Sequence, residues 1–224
     1  EAGVFRALAN WQNITVAETF CEENAAFQGR TVGDIAQEVG KTPFDAMLDM
    51  VLADDLRTSL RPMSLGHDDE SWKIRSEIWR DPRSVVGASD AGAHLDMINT
   101  FLYTTALLES VRERKLLELE EAVHQLTDVP ARLYGIRERG RLAEGWRADV
   151  TVFDPDRVAP TPIYTKPDLP GGASRLYADA LGIDNVFVNG EEIVREGQHT
   201  GAYPGTVLRS GRDTETVAIP GGPH

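Results

Sequence analysis

Apolar positions first fall into helical rhythm at Val32, Ile35, Ala36 and Val39. Thr31-Val32-Gly33-Asp34 stands before them as a capping box, and Gly40 is a natural stop for the helix. Thr42-Pro43-Phe44-Asp45 repeats the device, with Pro43 at the first helical position, where a missing N–H costs nothing. Phe44, Met47, Leu48, Val51 and Leu52 then recur at i, i+3, i+4, i+7 and i+8, predicting an amphipathic helix with these five as its apolar stripe. Ahead of both helices, residues 11–16 are β-rich without clean alternation, and 22–29 read as loop.

The middle of the chain keeps a different rhythm. Residues 56–65 can hold a short strand. Asp68-Asp69-Glu70 loads acid onto a helix start, which the helix dipole favours, and that helix runs to about Trp79, before Asp81-Pro82. Ser84-Val85-Val86-Gly87-Ala88 reads as a strand buried on both faces, as in parallel sheets. Two helical stretches follow, 96–115 and 117–128, then a helical turn at 130–134 closed by Gly135. Strand followed by long helix is α/β grammar. Beyond Gly135 the elements shorten, with strands expected at Arg141-Leu142 and at 149–153, split by Glu144-Gly145. Residues 186–194 form a hairpin around Asn189-Gly190, because Asn-Gly supplies both positive-φ positions of a type I′ turn. Residues 154–172 read as loop, and 210–224 as a flexible polar tail. The chain therefore divides near residue 136 into an α/β part and a β part, without internal repeats.

Composition narrows the function. The 224 residues carry 23 Lys and Arg against 36 Asp and Glu, a net charge of −13. So acidic a chain repels phosphate backbones and anionic bilayers, so neither nucleic acid nor membrane is expected as a partner. Its single cysteine, Cys21, excludes an internal disulfide or a Cys-x-x-Cys metal site. No apolar run approaches a bilayer span and no signal peptide is visible, so a cytoplasmic location is the default expectation.

Asp90 is the strongest candidate for chemistry. It lies just past the expected strand among small residues, and α/β enzymes place carboxylates at the C-terminal ends of parallel strands. Capping of the next helix explains it equally well from position alone. His94, four residues on, suits a ligand, a substrate contact or a helix start. His67 reads as surface and His124 as a satisfied helix residue. Glu118 to Glu121 read as a solvated face, and Cys21 has no base nearby. There is no His-x-His, no His-Glu-x-x-His and no phosphate loop.

Three stretches together resemble the C-terminal half of the metal-dependent amidohydrolase superfamily, in its N-acyl-D-amino-acid deacylase (D-aminoacylase) branch. Val85-Val86-Gly87-Ala88-Ser89-Asp90-Ala91-Gly92-Ala93-His94 looks like the eighth barrel strand with its closing acidic motif. Leu126 to Gly135 looks like the Thr-x-x-Pro-Ala helix. Arg139 to Val150, running on to Phe153-Asp154, looks like the return into the β-sandwich. The hairpin at Val188-Asn189-Gly190 and the run Thr200 to Gly205 fit the family's end, and the helices before residue 60 resemble an insertion late in the barrel.

The resemblance implies a fold: residues 1–136 as the C-terminal part of a TIM barrel, with a helical insertion over about 1–60, and 137–209 as strands of a small β-sandwich. It implies a hydrolase that opens the N-acyl amide bond of a D-amino acid, with one or two zinc ions in the complete enzyme. Asp90 would be general base and, as in some relatives, a metal ligand, the other ligands lying upstream of residue 1. His94, Ser89 and Gly92 would line the substrate mouth. The chain begins at Glu1, so it is expected to be part of something longer or a processed product. It would then need the missing barrel portion as a partner to be stable and active, and an exposed barrel edge makes homo-oligomers plausible. Two other readings stay open: another amidohydrolase reaction, such as cyclic-amide hydrolysis or deamination, and a non-catalytic module that kept the scaffold.

Overall fold

The structure is a computed structural model that describes residues 9–63, 66–87, 89 and 92–217. The chain has a mixed α/β fold and divides into two compact units, Glu1–His67 and Asp68–His224.

In the first unit, β1 (Thr15–Glu18) pairs antiparallel with β2 (Ser59–Arg61), Val16 opposite Leu60. Helices α1 (Val32–Val39) and α2 (Pro43–Ala53) start as their sequences predict. Thr31 and Thr42 accept hydrogen bonds from the amides of Asp34 and Asp45, and Gly40 closes α1 at φ +68°. Residues 22–27, expected as loop, wind into a 3-10 helix. The core gathers Ile14, Val16, Val32, Ile35, Met47 and Met50.

The inward face of α2 differs from the expected stripe. Ala46, Met47 and Met50 are buried, whereas Phe44, Leu48 and Leu52 stay 44, 39 and 65% exposed. The helix is apolar nearly all round, interrupted by Asp45 and Asp49, so spacing alone does not choose a face. At its C-terminal end Asp54 is wholly buried. It accepts hydrogen bonds from the Phe20 and Cys21 amides at 3.1 and 2.6 Å and from the Thr58 hydroxyl at 2.6 Å. Burial pushes its pKa up. The Thr58 hydroxyl, the Cys21 thiol and the two amides outweigh that and hold it at about 2.

The second unit opens with α3 (Asp69–Arg80), capped by Asp68 onto the Ser71 amide. Helices α4 (Tyr103–Arg114), α5 (Leu119–Leu126) and α6 (Asp128–Leu133) follow. The β region holds β3 (Val150–Phe153), β4 (Ala159–Pro160), β5 (Tyr164–Lys166), β6 (Arg175–Tyr177), β7 (Ala180–Leu181), β8 (Ile183–Val188), β9 (Glu191–Arg195) and β10 (Gln198–His199). A four-stranded sheet runs β10-β9-β8-β3, and β4 pairs with β7 and β5 with β6. Leu107, Leu108, Val111, Leu117, Ala122 and Val158 form its core, joined by Phe153 and Ile183 from the strands. The β8–β9 turn has Asn189 at φ +50° and Gly190 at φ +83°, as the type I′ reading requires.

Several expected elements differ. Residues 84–87 form no strand, and Val85 is 43% exposed. Every pairing among the described residues is antiparallel, so this stretch finds no parallel neighbour among them to make it a strand. The helix expected from residue 96 begins as a 3-10 turn at Thr100 and as α4 at Tyr103. The helix expected over 117–128 breaks at Thr127, whose φ and ψ are −125° and −79°. Arg141-Leu142 is not a strand, and Leu142 is 76% exposed. The expected loop 154–172 contains β4 and β5. The far segment, expected to hang free from 210, is tied down as far as Glu215. Thr214 bridges to Ile136, and the Glu215 amide donates to the Gly135 carbonyl at 2.8 Å. Gly135 sits at φ +60°, and a Cβ there would meet the Glu215 carbonyl at 2.1 Å, so only glycine lets this segment approach.

Candidate functional site

The motif expected to carry the chemistry lies between α3 and α4. Asp90 falls outside the described residues, as do Ala88 and Ala91. Its neighbours are described. Ser89 is half-buried. Gly92 has φ +105° with open space where a Cβ would stand, so its backbone and not its packing demands glycine. His94 has φ +47° and is exposed. Its carbonyl accepts the amides of Met97 and Ile98, both at 2.9 Å, which turns the chain toward α4.

A backbone bond ties Leu95 to the β region. The Leu176 amide of β6 donates to the Leu95 carbonyl at 2.8 Å, adding the residue after His94 to the free edge of the β5–β6 hairpin. Sequence reasoning missed this hairpin. Its signal was the period-2 pattern Tyr164-x-Lys166 and Arg175-x-Tyr177, in a region too rich in Pro and Gly to suggest strands. Cross-strand pairing sets Tyr164 opposite Tyr177 and Lys166 opposite Arg175. The tyrosine rings meet edge to face at 5.9 Å, and the Lys166 ammonium lies 4.1 Å from the Tyr177 centroid. Arg175 grips Asp168 with two 2.7 Å bonds, and that guanidinium holds the Asp168 carboxyl below its ordinary range. Burial, with Asp179 accepting the phenol proton at 3.1 Å, pushes the Tyr164 hydroxyl up.

The other two resembling stretches also meet in space. Asp128, buried at the start of α6, lies 2.8 Å from the Arg132 guanidinium, 3.7 Å from Arg141 and 3.6 Å from His124. Gly140, at φ +90°, lies so close to α6 that a Cβ would stand 2.5 Å from that of Ala131. Arg139 pairs with Asp149 and donates to the Asn189 side chain at 2.7 Å, while the Asn189 amide donates to Asp149 at 2.8 Å. The return segment is thus hydrogen-bonded to the hairpin tip and packed, with an ion pair, against the Thr-x-x-Pro-Ala helix. Asp128, Arg139, Asp149 and Asn189 are engaged in these contacts. Glu118 and Glu121, read as a solvated run, form a capping box on α5, and Glu121 holds Arg80 through two 2.9 Å bonds.

Among the described residues, no group of three or more His, Cys, Asp or Glu side chains could hold a metal ion. The residues described here therefore do not make a zinc site by themselves. No helix among them is long and apolar enough to cross a membrane.

The sequence pattern of the amidohydrolase family matches residues 11–194. N-acyl-D-aspartate deacylase of Alcaligenes xylosoxydans xylosoxydans is 37% identical over 141 residues, which cover 61% of this chain and 26% of that protein. D-aminoacylase of the same organism is 28% identical over 193 residues, covering 85% of this chain and 36% of its own length. Among solved structures, N-acyl-D-glutamate deacylase of Bordetella bronchiseptica, complexed with zinc and a phosphonate inhibitor, matches with 29% identity and a TM-score of 0.45. The match covers 85% of this chain and 36% of that one. The chain spans about a quarter to a third of the length of these relatives.

Proposed function

The chain belongs to the amidohydrolase family, and on that premise we propose that its 224 residues are the C-terminal part of a longer hydrolase that cleaves the N-acyl amide bond of D-amino acids. The observation that carries the proposal is the 37% identity to a deacylase of N-acyl-D-aspartate, within a family match running from residue 11 to residue 194. In this reading residues up to 136 supply the end of a TIM barrel with its helical insertion, and 137–209 supply strands of a β-sandwich.

Asp90 carries the proton. Its carboxylate takes a proton from the water that adds to the amide carbon. It hands that proton to the leaving nitrogen as the C–N bond breaks, releasing a carboxylic acid and a free D-amino acid. Positioned acid–base groups of this kind contribute roughly 10²–10⁴-fold in rate. Ser89, Gly92 and His94 line the mouth, with the positive φ of Gly92 and His94 turning the backbone there. Zinc enters the proposal for the whole hydrolase, because zinc accompanies the Bordetella deacylase. The described residues here assemble no site for it; Asp90 would touch it together with ligands upstream of residue 1.

A substrate panel on the full-length protein tests the reading. N-acetyl-D-glutamate, N-acetyl-D-aspartate and N-acetyl-D-methionine should be hydrolysed and their L enantiomers left intact. Turnover of hydantoins or dihydropyrimidines in their place would assign a cyclic-amide hydrolase. Failure on every substrate by metal-replete protein would favour a non-catalytic module.

A further inference from the structure

We propose that a cleft in the second unit, remote in sequence from Asp90, binds a small phosphate-bearing ligand through Arg137 and Arg147. The cleft has a volume of about 620 Å³, and Arg137, Glu138, Arg139, Arg147, Arg212 and Asp213 line it. Backbone bonds bring these separate segments together. The Arg147 amide donates to the Glu138 carbonyl and the Arg137 amide to the Asp213 carbonyl, both at 3.0 Å. Four guanidiniums in one cleft are not a background feature of a chain with net charge −13.

The arginines are not equally engaged. Arg139 is spent on Asp149 and Asn189. Arg212 is held by Asp213 at 2.7 Å and by the Val207 carbonyl at 3.0 Å, and the Arg209 amide occupies the same Asp213 carboxylate. Arg147 reaches Glu138 only at 3.7 Å, both side chains more than half exposed, a contact of small energetic weight that a ligand can replace. Arg137 is exposed and makes no ion pair among the described residues. Two planar, permanently charged forks lining one polar cleft suit the tetrahedral oxygens of a phosphate dianion. The volume leaves room for an organic group beyond it.

The test is calorimetric titration of the full-length protein, at low ionic strength, with inorganic phosphate and with glycerol 1-phosphate as probes. Saturable binding is expected, weakened at least tenfold by Arg137→Ala and again by Arg147→Ala. Arg157→Ala, which removes an exposed arginine elsewhere in the same unit, should leave binding within twofold. Tighter binding of the ester identifies an organic phosphate as the ligand, and equal binding identifies free phosphate; either supports the site. Absence of saturable binding, or equal weakening by Arg137→Ala and Arg157→Ala, overturns it. Both side chains are exposed, and alanine keeps the backbone bonds of both residues, so loss of fold does not confuse the outcome.

Discussion

At the scale of single residues, Asp54 shows how much one buried group can organise. Its carboxylate ties the Phe20-Cys21 turn to the end of α2, and removing the charge leaves four donors without a strong acceptor. Asp54→Asn should destabilise the first unit by about 2–3 kcal/mol, measured by chemical denaturation. The pH dependence follows from the direction of its shift. The folded pKa is lowered from 3.8 to about 2, so the stabilisation is complete above pH ~4 and disappears as pH falls from there through about 2. It amounts to roughly 2 kcal/mol. Thr58→Val removes one of the bonds to the charged form, so the acid-unfolding midpoint should move upward. A midpoint unchanged by Thr58→Val would refute this account of Asp54. None of this could be read from the sequence, where Asp54 is one acid in a run of two, with its partners 33–34 residues upstream at Phe20 and Cys21.

At the scale of elements, what lies near in sequence was legible and what depends on distant partners was not. Capping threonines, Pro43, Gly40 and the Asn189-Gly190 turn each act within a few residues, and each does what its chemistry predicts. The run 84–88 carries a strand's composition, but a strand also requires a neighbour, and composition does not supply one. The role of Glu121 was hidden for the same reason, since Arg80 lies 41 residues away. Glu121→Gln should weaken both the α5 cap and the bidentate pair. Because the pair is half exposed, the loss should be only about 1 kcal/mol and shrink in high salt.

The β5–β6 hairpin carries a sharper prediction. The Leu176 amide points away from β5 toward Leu95, so Leu176→Pro removes the tether without removing a β5–β6 ladder bond. In the full-length protein, turnover should fall at least tenfold with little change in thermal stability. Unchanged turnover would show that the hairpin does not hold the Asp90 loop in place.

At the scale of the whole molecule, the family pattern was legible because three motifs occur in fixed order, and the structure brings two of them together where Gly140 packs against Ala131 and Arg141 pairs with Asp128. The role of Asp90 rests on sequence, since that residue lies outside the described ones. The surface bears on stability. Phe44, Leu48, Leu52 and Leu56 leave an apolar stripe on the first unit, with Leu52 and Leu56 65 and 72% exposed. Exposed apolar faces of this kind promote association. The isolated 224-residue polypeptide should therefore bind the dye ANS at neutral pH and elute from a sizing column larger than a monomer. A monomer with no dye binding and a single cooperative transition would count against that expectation.

Asp90 is the residue proposed to serve amide hydrolysis of an N-acyl-D-amino acid. The most direct measurement is release of free D-glutamate from N-acetyl-D-glutamate by full-length wild-type protein and by Asp90→Asn, side by side. Turnover by the wild type is expected, with a loss of roughly 10²–10⁴-fold in kcat for the variant and KM and thermal stability little changed. Near-normal kcat in Asp90→Asn would contradict it.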